Sequence, residues 1–184
     1  MFYFTADCHF GHANVIRFCD RPFSDVDEMD RCLLENWNSR VRPTDTIYII
    51  GDMFFRPQYD PEVILKKLRG RKHLVLGNHD PSWLNKDPEH YGRFFETITP
   101  LCEVSDGAHR LVCCHYPMMT WPHSGKENCY HVYGHIHNDR DLAFWPLLAS
   151  YDHALNAGVD VNGFQPVTIR EMIENRNQFL NTKQ

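Results

Sequence analysis

Residues 133–139 read YGHIHND, a glycine followed by two histidines with one residue between them. The pair closes an apolar run, YHVYG (130–134), that is strand-length and rich in aromatic and β-branched residues. A bare H-x-H is common on surfaces and decides nothing alone; its meaning depends on partners. Four other short apolar runs end in polar residues in the same way. MFYFTA stops at Asp7, TIYIIG at Asp52, HLVLG at Asn78 and RLVCC at His115. Each reads as a buried strand with a polar residue at its carboxyl end.

Helical patterns separate the early runs. In SDVDEMDRCLLENWNSRV (24–41), Val26, Met29, Leu33, Trp37 and Val41 recur at helical spacing, with Ser24 as N-cap and Asp27 three residues on. A second helix is predicted from Pro61 to Leu68, closed by Gly70, and a last one after Pro166, carrying Ile169, Met172, Ile173 and Phe179. Strands alternating with helices predict parallel pairing through right-handed crossovers. From Thr97 to Val161 the chain reads as strand-rich with short turns. No repeat, low-complexity segment or linker is visible, so residues 1–184 read as one domain.

Composition narrows the class. Hydrophobic residues make up 42% and charged residues 23%, enough for a real core. The net charge of −5 argues against a dedicated nucleic-acid binder, which carries a basic face. The one basic cluster, Lys66, Lys67, Arg69, Arg71 and Lys72, reads as a solvated helix end and turn. Seven cysteines without regular spacing do not make a disulfide framework. Cys113 and Cys114 read as small buried hydrophobes. No segment is long and apolar enough for a membrane helix, and a cytoplasmic protein with reduced thiols is expected. Twelve histidines is the unusual number, and it raises a metal hypothesis.

The strand ends, taken in order, read D-x-H (Asp7, His9), G-D (Asp52), G-N-H-D (Asn78, His79, Asp80), H (His115) and G-H-x-H (His135, His137). In open α/β sheets, sites form at the carboxyl ends of strands. These ends deliver Asp, Asn and His, the ligand types of hard-to-borderline divalent metals. In extended backbone, residues i and i+2 point to the same side, so Asp7 with His9 and His135 with His137 can each converge. The glycines before Asp52, Asn78 and His135 are expected to let the chain turn tightly.

All five blocks, spanning Asp7 to His137, resemble the ordered motifs of the calcineurin-like metallophosphoesterase superfamily. The opening DCHFGHANVIRFCDRPF and the segment CHYPMMTW resemble a small bacterial and phage branch of it. The resemblance implies an α/β fold, a four-layer sandwich of two mixed sheets flanked by helices, with the site along one edge. It implies two divalent metal ions. Asp7, His9, Asp52 and His137 would hold the first, and Asp52, Asn78, His115 and His135 the second, with Asp52 bridging. A shared carboxylate offsets the repulsion of cations ~3.5–4 Å apart. Ligand type does not select among Mn, Fe, Ni and Zn. His79 matches the family's histidine that is not a ligand and would protonate the leaving group; Asp80 is placed to orient it.

The larger phosphoprotein phosphatases continue G-D into G-D-x-x-D-R-G, whose second Asp supports that histidine. This chain reads GDMFFRP, with Phe55 at the Asp position, Arg56 at the Arg and Pro57 at the Gly. Their activity is therefore not carried over. Weaker candidates surround the core set. Gly11 and His12 open a predicted helix whose N–H groups suit a phosphate, with Asn14 beside them. Arg21 has the fork to clamp a phosphate oxygen, and Arg56 is a further substrate-binding candidate. His123 and His131 flank a loop that is expected to border the pocket.

The implied activity is hydrolysis of phosphate esters, small phosphodiesters or nucleotides, by in-line attack of a metal-bridging hydroxide. Two rivals stand beside it: a nuclease, disfavoured by the acidic charge, and a metal-binding interaction scaffold on the same fold.

Overall fold

In the computed structural model, residues 1–182 are described; residues 183 and 184 of the expected domain lie outside them. The first sheet contains β1 (Phe2–Thr5), β2 (Thr46–Ile50), β3 (Arg71–Val75) and β4 (Thr97–Thr99), in that order and parallel throughout. The second contains β5 (Leu101–Ser105), β6 (Arg110–Cys114), β7 (Cys129–Tyr133) and β8 (Ala154–Asn156). Here β5 and β6 are antiparallel and the other pairs parallel. Mixed pairing is thus a property of the second sheet. In the first, the antiparallel element is an isolated bridge from Val167 to Phe4, on the open edge of β1.

Side-chain alternation explains the layers. Along β2, Ile47 and Ile49 face a helical layer, while Tyr48 and Ile50 face the other sheet. That helical layer includes α1 (Ala13–Phe18), α2 (Val26–Arg40), α3 (Glu62–Leu65), α4 (Pro81–Leu84) and α5 (Pro88–Gly92). Met29, Leu33 and Trp37 of α2 pack there with Leu65 and Trp83. Between the sheets, Phe4, Ile50 and Val75 meet Leu111, Cys113, Val132 and Leu155. Each such residue, fully buried, contributes roughly 1.5–3 kcal/mol. The outer face of the second sheet is covered by Trp121 and by α6 (Trp145–Ala149), through Leu148. The last helix, α7 (Ile169–Asn181), buries Ile169 and Met172 against the inter-sheet core. Its N-cap Thr168 forms a capping box with Glu171.

Two helix boundaries differ from the sequence reading. The N-cap of α2 is Asp25, which accepts from the Glu28 N–H at 2.8 Å, while Ser24 donates its hydroxyl to the Glu28 carboxylate at 2.6 Å. Both residues suit an N-cap, and the carboxylate that lies nearer the first turn takes the role. The second helix is shorter than expected, and the chain after it turns at Gly70, whose φ is +95°. Thr97 to Val161 holds the predicted strands, but also two long polar connections, on either side of β7. The seven cysteines are free thiols; Cys113 is buried and Cys114 half-buried. Among the described residues no helix is long and apolar enough to cross a membrane.

Candidate metal centre

All five polar blocks meet at one edge of the sandwich. Asp7, His9 and His137 bring one side-chain donor atom each within 4.8 Å of one another, and so do Asp52, His115 and His135. Asp52 lies between the groups: its Oδ2 is 3.8 Å from His9 Nε2 and 3.4 Å from His115 Nε2. Asn78 joins the second group, its Oδ1 3.1 Å from His115 Nε2. Asp7, His9, Asp52 and His115 are buried, whereas Asn78 and His135 are exposed.

The convergence does not come from strand alternation. β1 ends at Thr5 and β7 at Tyr133, before either pair begins. Asp7, His9, Asp52, His135 and His137 all adopt left-handed backbone, with φ of 55°, 52°, 53°, 72° and 50°. Each such non-glycine residue costs roughly 1–3 kcal/mol, and the cost concentrates where the donor atoms gather. Backbone bonds hold these turns: Asp7 N–H donates to Gly51 O at 3.1 Å, and His9 N–H to Asp52 O at 3.1 Å.

The glycines act mainly by being small. Gly51 does turn, at φ +83°, but Gly77 and Gly134 have no positive φ. A Cβ at Gly77 would stand 2.3 Å from Asp52 Oδ1, and one at Gly134 would stand 2.7 Å from Asp7 Oδ2. Their role is close approach.

Hydrogen bonds fix which ring nitrogens face the centre. His115 donates from Nδ1 to Ile50 O at 2.8 Å, and His137 from Nδ1 to Asp160 Oδ2 at 2.8 Å. In both rings this leaves Nε2 as the nitrogen turned toward the other donors; that of His115 contacts Asn78 Oδ1 and Asp52 Oδ2. The two nitrogens of His9 are buried with no hydrogen-bond partner among the described residues, an arrangement that costs free energy unless a ligand satisfies it. With an Asp, Asn and His donor set, this orphaned imidazole fits a divalent cation.

The titration behaviour follows from the crowding. Burial pushes the Asp7 carboxyl up to about 6. Burial works against the Asp52 carboxylate too, yet the His115 hydrogen bond and charge pull it down to about 2. Against burial, Asp52 raises His115 to about 9, and Asp160 raises His137 to about 11. Protons thus supply the positive charge in this cluster, and cations would displace them.

The sequence profile of the calcineurin-like phosphoesterase family matches residues 1–161. The chain belongs to this family. It is 28% identical over 169 residues to an uncharacterized protein of Methanocaldococcus jannaschii, covering 91% of this chain and 86% of that one. It is 37% identical over 100 residues to the Gene 66 protein of Mycobacterium phage D29, covering 52% and 49% of the two chains. A solved protein of unknown function from Aquifex aeolicus superposes with a TM-score of 0.72 at 30% identity, covering 95% of this chain and 98% of that one. The calcineurin-like phosphoesterase family acts on phosphate esters, and the Asp and His groups here are of the kind that can bind metal ions.

Around the phosphoesterase centre, several candidates take other places than expected. Arg21 is not a phosphate clamp: it is 4% exposed. It donates Nε and Nη2 to Asp160 at 2.7 and 3.0 Å, and Nη2 and Nη1 to the Asp7 and Cys8 carbonyls at 2.7 and 3.0 Å. Asp160, which belongs to none of the sequence motifs, links Arg21 to His137. Asp80 does not orient His79. It accepts from the N–H groups of Asp52, Met53 and Gly77 and from Trp83 Nε1, and so staples the Asp52 loop to the Gly77–Asn78 loop.

His79 donates its backbone N–H to Asp52 Oδ1 at 2.9 Å, and its Nε2 stands 3.8 Å from Asp52 Oδ2. Its ring lies against Phe55, centroids 4.0 Å apart. Phe55, at the sequence position of the absent Asp, thus offers the ring an aromatic face in place of a carboxylate. The Gly11 N–H is taken by Asp30 at 3.0 Å and the His12 N–H by His9 O at 3.0 Å, so neither awaits a phosphate. His12 itself lines the main cleft with Phe55 and His79. Arg56 is exposed beside a separate cavity of about 300 Å³, with His12 and Asn14. His131 is buried and bonded to Val112 O at 2.9 Å, and His123 is exposed; neither lines the main cleft.

Proposed function

We propose that this phosphoesterase holds two divalent cations and hydrolyses small phosphodiesters or nucleotides with water as the nucleophile. The observation that carries this reading is Asp52, whose single carboxylate stands between two separate groups of donor atoms. Asp7, His9, Asp52 and His137 would hold one cation; Asp52, Asn78, His115 and His135 would hold the other. Bound there, the cations supply Lewis-acid charge to the phosphoryl oxygens and make water nucleophilic near neutral pH.

The chain's own residues do the rest. Asp52 neutralises part of the added charge and keeps the groups together. Asn78 adds an oxygen without adding charge. In the reaction, water's oxygen bonds to phosphorus, losing a proton to solvent, as the ester P–O bond breaks. The leaving oxygen takes the proton of His79, which recovers one from solvent. His79 suits this because its side chain is 32% exposed and reaches the Asp52 carboxylate's neighbourhood without joining either ligand group. No covalent phosphoenzyme is required.

The test is metal stoichiometry by elemental analysis together with a hydrolysis screen under Mn, Fe, Ni or Zn. Two ions per chain and a diesterase activity abolished by exhaustive chelation are expected. Activity that survives complete metal removal overturns the reading. Two bound ions with no ester hydrolysed would favour the scaffold instead.

A further inference from the structure

The cleft in front of the centre has a volume of about 820 Å³, far more than one phosphoryl group fills. It is lined by the imidazoles of His9, His79, His135 and His137. Phe18, Leu142, Phe144 and Phe179 line it too. Phe18 is 67% exposed and Phe144 43%. These are the phenylalanines that stand exposed as large hydrophobics among the described residues, and neither belongs to a core cluster. The core clusters do not use them, and exposed rings lining a cleft are features of binding surfaces. The Arg17 guanidinium, 5.4 Å from the Phe18 centroid, adds a flat surface beside it.

Charge narrows the occupant. Apart from the imidazoles, the cation lining the cleft among the described residues is Arg140. It is engaged: it donates to Thr182 O at 2.8 Å and to Phe179 O, with its guanidinium 3.8 Å from the Phe179 centroid. Three carboxylates, Asp20, Asp139 and Asp141, line the same space. A second phosphate in this cleft would meet three acids, with the Arg17 guanidinium beside Phe18 as the cation set against them. That disfavours polyphosphates and nucleic-acid strands. A neutral flat ring bearing N–H or O–H donors would meet aromatic faces and acceptors.

We infer that this cleft holds the uncleaved arm of the substrate, and that the arm is a nucleoside stacked on Phe18 and Phe144. The substrate class is then a nucleoside phosphodiester. This rests on the phosphoesterase reading, and it also makes a claim independent of catalysis: the cleft binds a nucleoside without phosphate or metal.

Both claims can be tested. Three diesters sharing a nitrophenolate leaving group are compared, carrying thymidine 5′, methyl or octyl as the second arm. The thymidine ester should exceed the methyl ester in kcat/KM by about 10- to 100-fold, the scale of one or two base–aromatic stacks. Phe18→Ala and Phe144→Ala should each lower that ratio, chiefly through KM. Separately, saturation-transfer NMR with metal-free protein should show thymidine base protons in contact, a signal lost in the Phe18→Ala, Phe144→Ala double variant. An octyl ester as good as the thymidine ester, or equal rates for all three, would overturn the nucleoside assignment. So would absent or variant-insensitive saturation transfer. If no ester is hydrolysed with any metal, the phosphoesterase reading itself fails, and the NMR result still decides the cleft.

Discussion

The two groups of donor atoms are braced in different ways. Behind Asp7, His9 and His137 stands a buried side-chain network: His137 bonds to Asp160, and Asp160 to Arg21, with both partners fully shielded from solvent. Behind Asp52, His115 and His135 stand one buried carboxylate and the backbone it holds: Asp80 accepts from the Asp52, Met53 and Gly77 N–H groups, and His115 leans on the Ile50 carbonyl at the end of β2. Two of the second set, Asn78 and His135, are exposed. The first group is deep and depends on residues far away in sequence. The second is open and depends on a strand end. An outer layer that fixes ring orientation raises metal affinity. The first group should therefore bind its cation more tightly, and the second should exchange faster.

The largest effect is expected where the distinction vanishes. Asp52 serves both groups, so Asp52→Ala should impair both binding events and lower activity below detection. Asp7→Ala should impair one and leave a single ion on the second group. Calorimetric titration of the two variants checks this. Equal metal binding by both would show that Asp52 is not shared.

His79→Ala comes next. It belongs to neither group, so both ions and the fold should remain, while turnover falls by roughly 10²–10⁴, the usual worth of a positioned proton donor. The loss should be largest for alkyl and nucleoside leaving groups and smallest for nitrophenolate, which departs without a proton. A uniform loss across leaving groups, or loss of an ion, would assign the proton elsewhere.

The difference between the groups also explains what could be read from the sequence. The donor residues were legible because each follows an apolar run, and the order of the runs gives the order of the strands. What braces them was not. Arg21 and Asp160 lie 139 residues apart, and each alone looks like a surface charge. Asp80 sat in the motif, but its adjacency to His79 suggested the wrong partner; its oxygens point back to the G-D loop. The left-handed backbone at five donor residues was hidden because Asp and His, though enriched at positive φ, adopt it only as a minority conformation, so residue type does not announce it as glycine does. The parallel first sheet was legible from alternation of strands and helices, which says nothing of the bridge at Val167.

Asp160→Asn should separate the groups. The substitution puts an NH₂ against Arg21 or His137, so one hydrogen bond is lost and the buried Arg21 loses its counter-charge. Affinity at one site should fall by about 10- to 100-fold, the cost typical of a lost outer-layer partner, with the other site unchanged. The metal-free protein should also melt at a lower temperature. Two-site titration followed by thermal unfolding reads both. An equal fall at both sites would mean that Asp160 supports the whole edge and that the contrast drawn between the groups is wrong.

The smallest effect is expected at Phe55, which touches the proton donor and neither group's anions. Its ring lies 4.0 Å from the His79 ring and 4.7 Å from that of His12, centroid to centroid. Among the described residues no carboxylate holds the His79 ring by a short bond; Asp52 Oδ2 is 3.8 Å from Nε2. Packing against Phe55, with the His9 ring edge-to-face at 5.5 Å, thus limits the ring's rotation. Aromatic contacts of this kind are worth about 0.5–1.5 kcal/mol, which corresponds to roughly 2- to 12-fold in rate if the whole contact serves orientation. Phe55→Leu keeps the volume nearly filled but removes the flat face. It should lower kcat on alkyl and nucleoside esters by that factor, spare nitrophenyl esters, and leave both metal-binding steps unchanged. Measuring the two ester classes side by side, with metal titrations of the same samples, separates orientation from loss of metal. If Phe55→Leu changes metal affinity at either group, the ring is part of the metal centre's support and His79 is held by something else. If it changes nothing, His79 finds its working orientation only against the substrate.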